Sequence, residues 1–189
     1  MRRRNWLLGG ASVLVVALGV TGWLWTASRT ADDVQVYWRD GDPTCTGTTV
    51  KYDEELDARV FDAVNTMRCT VRVGIRNGSG RTVHLHHVTA PFVGPETGAV
   101  VTARDAAPEA ETGGRDAVFA LDVDLEAGQS TVLDIVLVFH PAGCNDGGTM
   151  WMDSWPSVSF EALNRTYDRA TDETLAFHRK GRSPGCARF

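Results

Sequence analysis

The sequence predicts an all-β sandwich preceded by one N-terminal transmembrane helix. Three observations carry that reading. Residues 67 to 178 hold a series of short apolar–polar alternations separated by turn-forming clusters, the period-two signature of half-buried strands. An uncharged run of 20 residues, Trp6 to Trp25, follows Arg2, Arg3 and Arg4. Four cysteines, Cys45, Cys69, Cys144 and Cys186, form an even set without any CxxC spacing. The chain of 189 residues is 43% apolar and 23% charged with net charge −5, enough apolar content for one sizeable core. That balance excludes a largely disordered chain, and no Gly period, heptad or second long apolar run admits a collagen, coiled-coil or multi-span class.

The N-terminal segment sets the compartment. At about 1.5 Å per residue, the run from Trp6 to Trp25 reaches roughly 30 Å, the hydrocarbon thickness of a bilayer. Trp6 stands at one end and Trp23 and Trp25 at the other, where indole rings favour the interface. The arginine cluster holds the N-terminus in the cytoplasm and places the rest outside. Residues 1–31 therefore read as a cytoplasmic Arg cluster and signal-anchor helix (core 6–25), and residues 32–189 as an extracytoplasmic domain. The alternative is a cleaved signal peptide and a secreted domain, with Thr26 and Ser28 as a small-residue pair at the exit. No cysteine precedes Cys45, so no lipid anchor directly follows the apolar run.

Beyond residue 31, 15 basic residues face 24 acidic ones. Such an acidic domain is repelled by phosphate backbones, so nucleic acid is excluded as a partner. In an oxidising compartment the four cysteines pair into two disulfides. Three connectivities exist, and the spacing of the flanking strands favours Cys45 with Cys69 and Cys144 with Cys186.

The strands follow from the alternation. Met67, Cys69, Val71, Val73 and Ile75 share one face while Arg68, Thr70, Arg72 and Arg76 share the other. Asn77-Gly78-Ser79-Gly80 is a turn, and a hairpin to Arg81–Thr89 with Ile75 opposite Val83 buries the most apolar surface. Further strands are predicted at 117–125, 131–140, 158–163, 167–170 and 174–178, with early ones at 34–38 and 99–104. The segment 53–66 spaces Leu56, Val60 and Val64 as a short helix would. Residues 106–115 read as an excursion loop.

The strand ending at Asn77-Gly78-Ser79, the turn Leu125-Glu126-Ala127-Gly128-Gln129-Ser130, and the strand ending Phe139-His140-Pro141 resemble small immunoglobulin-like β-sandwich domains of exported, membrane-anchored bacterial proteins of uncharacterised function. The resemblance covers residues 67 to 141. It implies an immunoglobulin-like antiparallel sandwich and transfers no functional residue.

Candidate chemistry is sparse. His84 and His86 share a strand face and could ligate copper or zinc, with Met150 and Met152 as soft donors. Against this, the hairpin register sets Arg72 opposite His86, and no carboxylate is near in sequence. The expectation is thus no metal and no other cofactor. Asp122-Val123-Asp124-Leu125-Glu126-Ala127 lacks the glycine and curled backbone of a calcium loop. No nucleophile elbow, HExxH or phosphate loop is present, so no catalytic residue is assigned and the chain is not read as an enzyme. A hydrolase without a recognisable motif remains the other alternative. Met150, Trp151, Met152 and Trp155 bunch in one connection, either capping the core or forming a binding patch for a protein or glycan. The sequence therefore reads as a non-catalytic binding or scaffolding domain at the cell surface. Its partners are the bilayer, through the N-terminal helix, and an unidentified extracytoplasmic protein or glycan.

Overall fold

The structure, a computed structural model, describes residues 2–105, 114–183 and 185–186; the side chains of residues 2–14 and 105 lie outside that description. Helix α1 spans Arg2–Asp32. It passes through Asp33 directly into β1 (Val34–Trp38), the first of thirteen strands among the described residues. These are β2 (Thr44–Thr46), β3 (Val50–Asp53), β4 (Ala58–Asp62), β5 (Arg68–Asn77), β6 (Val83–Ala90) and β7 (Val101–Asp105). The remainder are β8 (Ala117–Leu125), β9 (Ser130–Phe139), β10 (Gly148–Met152), β11 (Ser157–Ala162), β12 (Arg165–Ala170) and β13 (Leu175–Arg179).

Among the described residues, three sheets enclose one core. In the first, the order is β1-β5-β9-β7, and β2 joins the same edge of β5 as β1 but farther along it. The second has the order β12-β11-β6-β8, wholly antiparallel. The third runs β10-β13-β4-β3 and contains one parallel pair, β13 with β4. Cys69, Val71, Val73 and Ile75 of β5 point inward, as their alternation demands, and meet Leu85 and Val88 of β6, Phe119 of β8 and Phe160 of β11. Phe61 and Phe177, from β4 and β13, close the same core with ring centroids 5.6 Å apart. The protein is thus an all-β sandwich of mainly antiparallel sheets.

Two sequence expectations are corrected. β5 and β6 do not form a hairpin: β5 pairs β1, β2 and β9, whereas β6 pairs β8 and β11. The Asn77-Gly78-Ser79 segment is a corner between sheets, and Asn77 explains why. Its fully buried Nδ2 donates to the carbonyls of Arg81, Leu125 and Glu126 at 2.7, 2.9 and 3.1 Å. Its Oδ1 accepts from the backbone N–H and hydroxyl of Ser79 at 3.0 and 2.7 Å. One side chain therefore pins the β5 exit to the β8–β9 turn, and the chain leaves for the other sheet.

Nor is 53–66 helical; it holds the end of β3, a turn, and β4. Asp53 Oδ1 does accept from the N–H groups of Glu55 and Leu56, the start that a helix would use. The turn then closes at Asp57 with φ of 46°, and Phe61, fully buried, draws the segment into the core as a strand. Of the expected loop 106–115, residues 106–113 lie outside the described residues.

Among the described residues, no helix is long and apolar enough to cross a membrane. The first nine positions of the apolar run, Trp6 to Leu14, have side chains outside that description. In the described half, Val15 to Trp25 are exposed, with Val15 67% accessible, so the sandwich does not cover this apolar surface. Among the described side chains, the helix meets the domain near its end. Ala27 and Ala31 are buried there, and Arg169 of β12 donates to the Ala31 carbonyl at 3.0 Å and to Asp32 at 3.1 Å. A guanidinium on the last carbonyls suits the negative end of the helix dipole. The Arg165 guanidinium, beside the β11–β12 turn, reaches back to 5.9 Å from the Trp23 ring.

Candidate functional sites

Two outer sheet faces carry chemistry, and one of them holds part of the patch expected at 150–155. Trp155 is fully buried, with its ring edge-on to Trp38 at 6.2 Å, and Met152 is buried with it. Trp38 Nε1 donates to the Trp155 carbonyl at 3.0 Å. Met150 is half-buried against the core. The four residues therefore do not form one exposed patch. Strand alternation in β10 puts Met150 and Met152 on the core side and turns Trp151 outward, where it is 59% exposed.

Trp151 begins a row across the third sheet. Register places Ala176, Val60 and Lys51 beside it on successive strands. The adjacent row is polar: Thr149, His178, Asp62 and Thr49. Thr149 Oγ1 lies 3.0 Å from His178 Nδ1, and the Thr49 hydroxyl donates to Asp62 at 3.1 Å. A cleft of about 470 Å³ lies over these rows, with Lys51, Val60, Asp62, Thr149 and His178 in its lining. A neighbouring cleft of about 410 Å³ shares Asp62, His178 and Lys180. Sequence reasoning missed this face because β3 and β4 were not recognised, and they supply half of it.

The second site lies on the outer face of the second sheet. His84 on β6 stands opposite Asp124 of β8 on one side and Glu161 of β11 on the other. Its Nδ1 lies 2.7 Å from Asp124 Oδ1, and its Nε2 lies 3.2 Å from Asp122 Oδ1. The hydrogen bond to Asp124 raises the His84 pKa above its usual value, with the charges of Asp124, Asp122 and Glu161 acting in the same direction. The His86 ring sits edge-on to His84 at 4.9 Å.

Two irregularities create this cluster. The pairing of β6 with β11 slips between Ser159 and Phe160, and that of β6 with β8 slips between Leu85 and His87. His86 has no partner in either register, and Asp122 has φ of 46°. Bulges of this kind re-aim side chains, and a non-glycine residue in the left-handed region is strained. Both arguments that the sequence offered against a metal here are overturned. Arg72 is on another sheet, bonded to Asp134 and Asp40 at 2.9 Å each, and carboxylates reach His84 through β8. The alternation of Asp122 and Asp124 was visible; the pairing of β6 with β8 was not.

A third cluster is inert as a metal site. Cys144, Asp146 and Cys186 lie close together, but both sulfurs are bonded to each other in a disulfide. The other disulfide joins Cys45 to Cys69 across β2 and β5, directly in register.

No protein-family model matches the chain. No curated protein matches it either. Among solved structures, the chain is similar to a GH20 exo-β-N-acetylglucosaminidase from Vibrio harveyi in complex with N-acetylglucosamine, at 9% identity and TM-score 0.33, covering 79% of this chain and 18% of that one. An inactive mutant of the same enzyme gives 8% identity and TM-score 0.34, over the same shares. The chain thus spans under a fifth of those proteins' length, and likeness of this degree carries no functional argument.

Proposed function

We propose that this protein is a non-catalytic binding domain of the cell surface, immunoglobulin-like in architecture and held at the membrane by its N-terminal helix. Anchoring is supported by the uncharged run from Trp6 to Trp25 and by the uncovered apolar side chains from Val15 onward. The extracytoplasmic placement is supported by the two disulfides, which persist in oxidising compartments. The single observation that carries the binding function is Trp151, exposed on the same sheet face as the polar row of Thr149 and His178 rather than buried like Trp38 and Trp155.

A large indole left in water gains free energy when a partner covers it, and tryptophan is enriched among residues that dominate contact energies. The row of hydroxyl, imidazole and carboxylate groups next to it can orient a partner that offers many hydrogen-bonding groups. That combination fits an envelope glycan, whose rings have apolar faces and hydroxyl rims. The full chain in detergent is expected to co-sediment with purified envelope polysaccharide. Trp151→Ala is expected to weaken that binding at least tenfold, about 1.4 kcal/mol or more. Equal sedimentation of the variant and the parent would contradict the assignment.

A further inference from the structure

The last turns of α1 run alongside the β11–β12 hairpin rather than ahead of it. Ala27, Thr30 and Ala31 are buried, and Arg169 of β12 holds the helix end through the Ala31 carbonyl and Asp32. At the other end of the same strand, the Arg165 guanidinium lies 5.9 Å from the Trp23 ring. Trp23 to Asp32 along the helix and Arg165 to Arg169 along β12 both cover about 13 Å. The two therefore lie side by side, and the hairpin turn at Leu163 and Asn164 sits level with Trp23. No loose linker intervenes, because the Gly78 N–H donates to the Asp33 carbonyl at 2.9 Å where the helix gives way to β1.

We propose that this end of the sandwich rests on the bilayer surface, where Arg29 and Arg165 bind the phosphate groups of phospholipids. The inference rests on the membrane anchoring proposed above and adds a lipid-binding site to it.

The depth follows from the indoles. Trp23 and Trp25 close the apolar run and are 43% and 63% accessible, and exposed indoles of a membrane helix settle among the headgroups. Helical side chains lean toward the N-terminus, so Arg29 reaches back to 5.3 Å from the Trp25 ring. Arg165 arrives at the same level from the hairpin. A guanidinium stacked on an indole keeps its N–H edge free, and that edge matches two oxygens of one phosphate.

The charges fit the same occupant. Arg59, Arg72, Arg169 and Arg182 are each paired with a carboxylate. Arg29 and Arg165 take part in no ion pair among the described residues. The only acid of α1, Asp32, is bonded to Arg169. The hairpin turn carries Leu163 at φ of 52°, a position that favours asparagine or glycine, and an apolar side chain there gains from contact with lipid. A phospholipid layer satisfies all of these groups at once: acyl chains cover Val15 to Leu24, the interface takes the indoles, and the phosphates take the guanidiniums.

A depth measurement on the full chain tests the proposal, in vesicles of phosphatidylcholine and phosphatidylglycerol that carry a headgroup nitroxide. All four cysteines are paired, so one added thiol can be labelled without reductant. A fluorophore on Thr166→Cys, beside the hairpin turn, is expected to be quenched several-fold more than one on Asp172→Cys. The latter lies past the other end of β12, about 15 Å or more away. In mild detergent, native mass spectrometry of the full chain titrated with phosphatidylglycerol reads the arginines. Binding is expected to weaken about fivefold for each arginine removed in Arg29→Gln/Arg165→Gln. Arg39→Gln, past the far end of β1, should leave it unchanged. Retention of both disulfides and of the far-ultraviolet circular dichroism would show that each variant is folded. Failure of the parent to float with the vesicles would overturn the anchoring and this inference together. Flotation with equal quenching at the two labels would overturn this inference alone, as would equal lipid binding by the double variant and the parent. Displacement of the lipid by millimolar inorganic phosphate would overturn it too, by marking a site for a soluble anion.

Discussion

Reduction of both disulfides is expected to lower the melting temperature of the domain by roughly 20 °C, the largest single effect in this molecule. Cys45 and Cys69 are 24 residues apart, and Cys144 and Cys186 are 42 apart. In the chain-entropy model, loops of those lengths contribute about 3.5 and about 4 kcal/mol by restricting the unfolded chain. Neither bridge reinforces an element that would hold well alone. β2 has only three residues, on an edge of β5, and the bridge fastens it to the buried Cys69. Cys186 itself lies outside the strands. It is held by the bridge and by Ser183, whose hydroxyl donates to the Gly143 carbonyl at 2.8 Å and accepts from the Asn145 N–H at 2.9 Å. Differential scanning calorimetry with and without reductant reads the effect. The paired variants Cys45→Ala/Cys69→Ala and Cys144→Ala/Cys186→Ala should each lose part of it, the second slightly more. A shift of a few degrees on full reduction would mean that the sheets alone carry the stability.

Asn77→Ala is expected to destabilise the domain by about 3 kcal/mol, with Ser79→Ala nearer 1 kcal/mol. The asymmetry follows from what each change leaves behind. Removing the Asn77 amide orphans the carbonyls of Leu125 and Glu126 at a buried corner, together with the Ser79 N–H, while the Ser79 hydroxyl still donates to the Arg81 carbonyl. A buried acceptor without a partner costs about 1–3 kcal/mol. Ser79→Ala deletes a hydroxyl and leaves the Asn77 amide bonded to its three carbonyls. Asn77→Asp should be at least as damaging as alanine, because it replaces the donor by a charge that faces three carbonyl oxygens. Urea unfolding would show the midpoint falling at unchanged slope. An Asn77→Ala midpoint within error of the parent would mean that the β5–β6 corner is set by its backbone alone.

Several strands could be read from the residues: β5 and β8 lie where a two-residue period places them, and β9 lies where a run apolar on both faces but for Asp134 predicts a central strand. β2, β3, β4 and β10 could not. They are three to five residues long, and their pattern is set by pairing with distant strands rather than by their own periodicity. The hairpin register from Ile75 to Val83 failed for a related reason. Asn-Gly-Ser encodes a turn, but the partners of Asn77 lie almost fifty residues on, at Leu125 and Glu126. The candidate sites follow the same division. Trp151 and His84 were visible as residues, whereas Val60, Asp62 and His178 around the one, and Asp122 and Asp124 around the other, were assembled by sheet order. The bulge at Asp122 left no sign in the alternation of β8, whereas the consecutive His86 and His87 between Leu85 and Val88 break the alternation of β6.

The central proposal is that the N-terminal helix holds an oxidised domain on the outer side of a membrane. A C-terminal epitope tag on the full chain, followed in spheroplasts through protease treatment and alkaline carbonate washing, tests it in one gel. The tag should be destroyed by external protease in intact spheroplasts, and without protease it should sediment with the carbonate-washed membranes. A tag protected until the cells are lysed, or a chain released into the carbonate supernatant, would contradict the account.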